Sequence, residues 1–168
     1  MQHLLKLHPD SCCDAVTGIG VKAVRAPGGE LSLRYVVSGR IGDLLLPTLA
    51  APARADGLWQ HTCFEAFVRE GEGYSEFNFS PSMQWAAYRF DAYRAGMRPA
   101  HEAPHIEIVS GHDSFALHAS LTMPDGLLRL GLAAVIEEAN GQLSYWALAH
   151  PPGKPDFHHS DCFGLELA

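Results

Sequence analysis

Residues 57–90 read GLWQHTCFEAFVREGEGYSEFNFSPSMQWAAYRF. About a fifth of the 168-residue chain thus holds two of its three tryptophans and two of its five tyrosines, with phenylalanines between them. Aromatic residues favour strands, and successive side chains of a strand point to opposite sides, so each strand here divides into two faces. In the first, Thr62, Phe64, Ala66 and Val68 oppose Trp59, His61, Cys63, Glu65 and Phe67. In the second, Phe77 and Phe79 oppose Tyr74, Glu76, Asn78 and Ser80. In the third, Ala86, Tyr88 and Phe90 oppose Trp85, Ala87 and Arg89. Paired in order as an antiparallel meander, the strands present a core face and a polar-aromatic face. The second face is expected to carry Trp59, His61, Glu65, Glu76, Asn78, Trp85 and Arg89.

The same two-residue period continues outward. It predicts strands over Val16–Arg25 and Leu31–Val37, divided by the turn residues Pro27-Gly28-Gly29, and a short strand at Leu44–Leu46. Downstream it predicts strands over His105–Ser110, Phe115–Leu121, Leu128–Ile136, Leu143–His150 and Cys162–Leu167. Pro124-Asp125-Gly126 marks one turn, and Asn140-Gly141 is a hairpin dipeptide because both residues tolerate positive φ. Ser80-Pro81 also resembles a helix start, but the aromatic density of WAAYRF predicts a strand at Trp85–Phe90. A helix then fits only within Asp91–Gly96. About ten short strands separated by turns predict an all-β antiparallel β-sandwich, one domain over residues 1–168.

Composition excludes several partner classes. Twelve basic against 19 acidic residues give a net charge of −7. That weighs against nucleic acid, whose binding needs Lys and Arg to replace phosphate counterions, and against anionic membranes. No segment approaches the ~20 apolar residues of a membrane span. The N-terminal MQHLLKLHPDSCCDAV lacks a signal-peptide core, so a cytoplasmic protein is expected. The four cysteines form no C-x-x-C, and they read as free thiols rather than as a zinc or redox site.

Tryptophan beside a carboxylate, an amide and a guanidinium suits a small polar ligand. The rings supply an apolar platform, and the fixed donors and acceptors supply orientation. The same residues also read as plain structure: Glu65 and Arg89 as a cross-strand ion pair of about 0.2–1 kcal/mol, the tryptophans as core. Pattern leaves both readings open.

The blocks LWQHTCFEAFV, YSEFNFSPSMQWAAYRF and SYWALAHPPGKPDFHH together resemble the DOMON-like superfamily, specifically bacterial DOMON-like proteins related to family 9 carbohydrate-binding modules. The resemblance runs from about Leu58 to the C-terminus. It implies a β-sandwich that binds a sugar or a haem without catalysis of its own. The sugar-binding relatives clamp a ring between two tryptophans and hydrogen-bond it with a Glu and an Arg. Carried over, these positions resemble Trp59, Trp146, Glu65 and Arg89, with Asn78 in the preceding E-x-N-x-S-P block. His61 and His150 are added as histidines expected to line the site. Such modules are usually secreted appendages of glycoside hydrolases, whereas this chain has no signal-peptide core, so the expected partner is a small sugar or sugar-derived metabolite.

Competing chemistries find weaker support. Haem would need axial ligands of the Met and His type, drawn from Met83 or Met97 with His118 or His150, and no motif fixes a pair. The tail HPPGKPDFHHSD offers His150, Asp156, His158, His159 and Asp161 as metal or catalytic groups. Adjacent histidines diverge in a strand and converge only in a loop. No G-x-S-x-G or Cys-His spacing marks a hydrolase, so no catalytic residue, metal site or cofactor is expected. Oligomeric state is left open.

Overall fold

The computed structural model describes the backbone of residues 1–168 and every side chain but that of Glu70. Twelve strands run in this order: β1 (Gln2–Leu7), β2 (Val16–Arg25), β3 (Glu30–Gly39), β4 (Cys63–Glu70), β5 (Gly73–Phe79), β6 (Trp85–Phe90), β7 (Arg98–Pro99), β8 (His105–Ser110), β9 (Ser114–Thr122), β10 (Leu128–Glu137), β11 (Leu143–Ala147) and β12 (Leu165–Leu167). Among the described residues there is no α-helix, only 3₁₀ turns at Ile41–Asp43, Leu58–Gln60 and Ser160–Cys162. Among the described residues no helix is long and apolar enough to cross a membrane. The all-β antiparallel sandwich expected from the alternation is what the chain forms.

The first sheet has the order β1-β2-β3-β9-β8, and the second β7-β6-β5-β4-β10-β11-β1. β1 belongs to both. Gln2–Leu5 pair with β2, whereas Lys6 and Leu7 pair with Ala147 and Trp146 of β11. This crossing stitches the sheets along one side. β12 continues the β11 edge by pairing with Leu128–Leu130 of β10.

The core lies between the sheets, and its residues are those the alternation selects. Leu31, Leu33, Tyr35 and Val37 of β3 and Phe115, Leu117 and Ala119 of β9 face Phe64, Ala66 and Val68 of β4 and Leu128, Leu130, Leu132 and Ala134 of β10. Tyr35 also reaches across to donate its hydroxyl to the Glu65 backbone carbonyl at 2.8 Å. That bond fixes the first sheet to the middle of β4.

Several local expectations are corrected. β1 and β7 escaped the pattern because one is short and mixed and the other spans two residues. Leu44–Leu46 makes only an isolated bridge, Leu44 to Glu138. The closing strand begins at Leu165, after a 3₁₀ turn, and β11 stops at Ala147. Asp91–Gly96 forms no helix. Asp91 N–H donates to Ala95 O, Ala95 N–H donates to Ala92 O, and Arg94 and Gly96 both take positive φ.

The outer face of the second sheet is also buried. Phe67, Tyr74, Ala86, Tyr88, Phe90, Ala133, Val135 and Ala147 form a second apolar cluster capped by Phe157. The cap is the C-terminal loop, residues 150–164, lying flat across β10 and β4. Gly131 permits this approach, since a Cβ there would stand 3.2 Å from Cys162 O and 3.4 Å from Phe67 Cβ.

Candidate functional site

A cavity of about 600 Å³ opens between this outer face and its cover. Its origin is legible in the register. One row across the sheet reads Ala86, Asn78, Glu65, Ala133 and Ala147, on β6, β5, β4, β10 and β11. Three alanines in five positions leave a trough. Tyr88, Glu76 and Phe67 form the row on one side, and Cys63, Val135 and Tyr145 the row on the other. Trp59 from the 3₁₀ turn before β4 stands at the rim, 53% exposed. Arg94 and Met97 come from the loop after β6, and Lys154, Pro155, Phe157 and His158 from the C-terminal loop.

Two carboxyls lie at the bottom. Glu65 is 3% exposed and Glu76 6%. Among the described residues no hydrogen bond reaches the Glu65 carboxyl, and burial, then the charge of Glu76, pushes its pKa well above the usual carboxylate range. Glu76 is raised to about 7 by burial, with the Asn78 amide and Arg94 pulling the other way. Asn78 is wholly buried, and neither its Nδ2 nor its Oδ1 has a partner of ordinary hydrogen-bond geometry. Burial and then the Glu65 charge also push the neighbouring Cys63 thiol up, leaving it protonated and inert at neutral pH.

His158 joins the floor to the cover. Arg94 N–H donates to the Tyr74 hydroxyl at 3.2 Å, and that hydroxyl lies 2.8 Å from His158 Nδ1. The Tyr74 hydroxyl thus bridges the Arg94 backbone and the His158 ring. Nε2 stands 3.6 Å from Glu76 Oε2, too far for a good hydrogen bond. Burial, then the Arg94 charge, lowers His158 to about 4, so the ring is neutral at pH 7. Asp156 holds Arg94 at 2.8 Å and accepts from the Tyr93 hydroxyl, tying the C-terminal loop to the loop after β6. Tyr88 donates to Asp56.

No family model matches the chain, and no curated protein matches it either. The site therefore rests on its geometry.

The structure brings Trp59, Glu65 and Glu76 to one cavity, with Asn78 beside Glu65 on the same row. It does not bring the other expected residues there. Arg89 lies on the opposite face of β6: Phe79 pairs with Trp85, Phe77 with Ala87 and Ser75 with Arg89. Cross-strand partners share a side, so the loop from Ser80 to Gln84 sets Trp85, Ala87 and Arg89 toward the inter-sheet side. Among the described residues Arg89 hydrogen-bonds Ser75 Oγ, at 3.4 Å. Tyr88 and Phe90, expected in the core, line the cavity instead.

Trp146 is a core residue, 6% exposed between the sheets, its indole N–H donating to Ser144 Oγ at 3.0 Å. His61 is exposed, its Nδ1 2.7 Å from Glu137 Oε2, and does not line the cavity. His150 Nε2–H donates to Lys6 O at 2.8 Å, its ring edge-on to His8, again away from the cavity.

The axial-ligand pairs considered for haem also fall apart. Met97 lines the cavity, but His118 lies on the far face of the first sheet, bonded to Ser32. Met83 packs against the inter-sheet core. Among the described residues no three His, Cys, Asp or Glu side chains converge as a metal site. In the tail, His159 caps the last 3₁₀ turn while His158 enters the cavity. Arg94, Lys154 and Phe157 carried no positional signal, because loops have no period to place them.

Proposed function

We propose that this chain is a ligand-binding β-sandwich without chemistry of its own, and that it takes a small polyhydroxylated molecule, a sugar or sugar-derived metabolite, into the cavity over Glu65 and Glu76. The observation that carries this is the Glu65 carboxyl, almost fully buried, without a hydrogen bond among the described residues and lining a cavity of about 600 Å³. Burying an acceptor without a donor costs free energy, and a ligand hydroxyl supplies that donor. The cavity has the dimensions of small-molecule sites, roughly 300–1,000 Å³. Trp59 at the rim, with Tyr145 and Phe157, offers rings to the apolar face of a pyranose.

The DOMON-like resemblance supports this reading at Trp59 and Glu65 and not at Arg89 or Trp146. The guanidinium at the cavity is that of Arg94. A cytoplasmic setting belongs to the same proposal. A thermal-shift screen of sugars and nucleotide sugars tests it, since a ligand that binds only the native state raises the melting temperature. Titration calorimetry follows on any hit. Trp59→Ala is expected to weaken binding about 10-fold, as loss of one stacking aromatic does, while leaving stability nearly unchanged because the ring is exposed. Saturable binding that is indifferent to both Trp59→Ala and Glu65→Gln would place the ligand elsewhere and defeat the proposal.

A further inference from the structure

We infer that the ligand carries a protonated amine, as an amino sugar or aminopolyol does, and that its ammonium seats between Glu65 and Glu76. This rests on the proposal that the cavity is the binding site, and it names the chemistry of the occupant.

Among the described residues neither acid forms an ion pair with an Arg or a Lys; Arg94, which draws Glu76 down from a distance, is itself paired with Asp156. Glu65 accepts no hydrogen bond among the described residues, and Glu76 has His158 Nε2 at 3.6 Å and the Asn78 amide and the Arg94 charge acting on it without a close ion pair. Asn78, fully buried beside Glu65, leaves both amide atoms unpartnered on the same row. A buried carboxyl that no hydrogen bond reaches, with a second buried carboxyl lining the same cavity beside it, points to a ligand group that donates in several directions. An ammonium has three donors.

Spacing fits as well. The two glutamates are diagonal neighbours on paired strands, since Glu65 faces Asn78 and Phe67 faces Glu76. Such neighbours stand ~7–8 Å apart, somewhat less between their Cβ atoms. One ammonium nitrogen at ~2.8 Å from an oxygen of each carboxylate closes that span. The walls add Tyr88, Tyr145 and Phe157, whose ring faces attract a cation once water is displaced.

The charged and titratable groups facing the pair leave this assignment intact. From the loop after β6, Arg94 is held by Asp156. From β6, Tyr88 donates to Asp56. From the C-terminal loop, Lys154 is exposed and forms no ion pair among the described residues, and His158 is neutral. Cys63, next along β4, is protonated. A neutral hydroxyl satisfies the acids only in part. An ammonium draws out their protons, so its binding is coupled to proton release and strengthens as pH rises through about 7, where Glu76 titrates.

The test uses matched pairs: methyl 6-amino-6-deoxy-α-D-glucopyranoside against methyl α-D-glucopyranoside, and D-glucamine against D-glucitol. Each pair differs by one ammonium for one hydroxyl, and the alkylamines stay protonated from about pH 5 to about pH 8, as the lysine amine does. Calorimetry on the full chain at about pH 8 is expected to show the amine at least ~10-fold tighter than its partner, a preference that shrinks toward about pH 5.5. Two buffers of different ionisation enthalpy should report a proton released by the amine and not by the hydroxyl compound. Glu65→Gln should abolish the preference while retaining weak binding of the hydroxyl partner, and Glu76→Gln should remove the part of its pH dependence centred near about 7 and leave the part that belongs to Glu65. Equal affinity within both pairs overturns the ammonium inference and leaves the polar-ligand reading standing. Failure of both amines to bind also overturns it. Failure of every sugar, charged or neutral, overturns the reading beneath it.

Discussion

Replacing Glu76 by Gln should change the pH dependence of stability in a way no surface carboxylate would. Glu76 titrates at about 7 in the native state and near its ordinary 4.5 when unfolded. A carboxyl whose native pKa is raised contributes stability that is complete below the unfolded value and is lost as pH rises toward the native one. At about 1.4 kcal/mol per pH unit, that interval amounts to about 3 kcal/mol lost between about pH 4.5 and about pH 7. His158 works the other way. Lowered from 6.5 to about 4, it contributes stability that is present above pH 6.5 and lost as pH falls, also about 3 kcal/mol. Between about pH 4.5 and pH 6.5 the unfolded chain carries its proton on His158 and the native chain carries it on Glu76. Proton counts match, and the two slopes cancel.

Glu76→Gln removes one slope and leaves the other. In urea unfolding followed by tryptophan fluorescence, the wild-type protein should be nearly flat across that window as far as this pair is concerned. The variant should gain about 3 kcal/mol as pH rises through it. The difference, variant minus wild type, should be near zero at about pH 4.5 and about 3 kcal/mol in favour of the variant above about pH 7. It should grow further in alkali, because removing Glu76 also removes the second cause holding Glu65 up. A difference that does not vary with pH would show that Glu76 is an ordinary solvated acid and would refute the description of the cavity floor.

Three other expectations concern the scaffold. Gly131→Ala should cost about 1–3 kcal/mol, the usual effect of overpacking, because its Cβ meets Cys162 O and Phe67 Cβ; equilibrium denaturation checks it. Tyr35→Phe should cost about 1–3 kcal/mol, since the buried Glu65 carbonyl loses its tyrosine donor, and a variant as stable as wild type would mean that bond is not made. Trp146→Ala should cost about 3–5 kcal/mol as a core deletion, whereas Arg89→Ala should leave ligand affinity unchanged; a selective loss of binding by Arg89→Ala would contradict its placement on the inter-sheet side.

The fold was legible because the inter-sheet core obeys a strict alternation. Leu31, Leu33, Tyr35 and Val37 could be sorted from their neighbours by parity alone. The site was legible only where one strand sufficed. Glu65 and Phe67 were assigned to the same face of β4 from their own strand. Placing β6 against β5 required the register across Ser80–Gln84, where one residue of slip exchanges the faces. Both faces of β6 are apolar enough to be buried, Trp85 and Ala87 on one and Tyr88 and Phe90 on the other, so hydrophobicity could not arbitrate. The error at Arg89 follows directly. Trp146 misled for a related reason, because on a strand covered on both sides a tryptophan suits either layer.

What distinguishes Glu65 and Glu76 is their cover rather than their strands. Glu107 is also a carboxyl on a strand of this sandwich, beside His105 and His118 on the outer face of the first sheet, and its side chain stays 66% exposed. His105 and His118 on that face are exposed as well, at 72% and 37%. Over the second sheet lies the C-terminal loop, fastened at three places: Cys162 above Gly131, His158 on Tyr74, and Asp156 on Tyr93 and Arg94. The last of these ties the loop to the turn after β6 rather than to the sheet, so the cavity is bounded by two loops holding each other across a trough of alanines. The contacts that desolvate the acids are therefore the contacts that shape the cavity. Weakening them returns both carboxyls toward ordinary titration and flattens the pocket together, which makes the pKa of Glu76 a readout of closure as well as of charge.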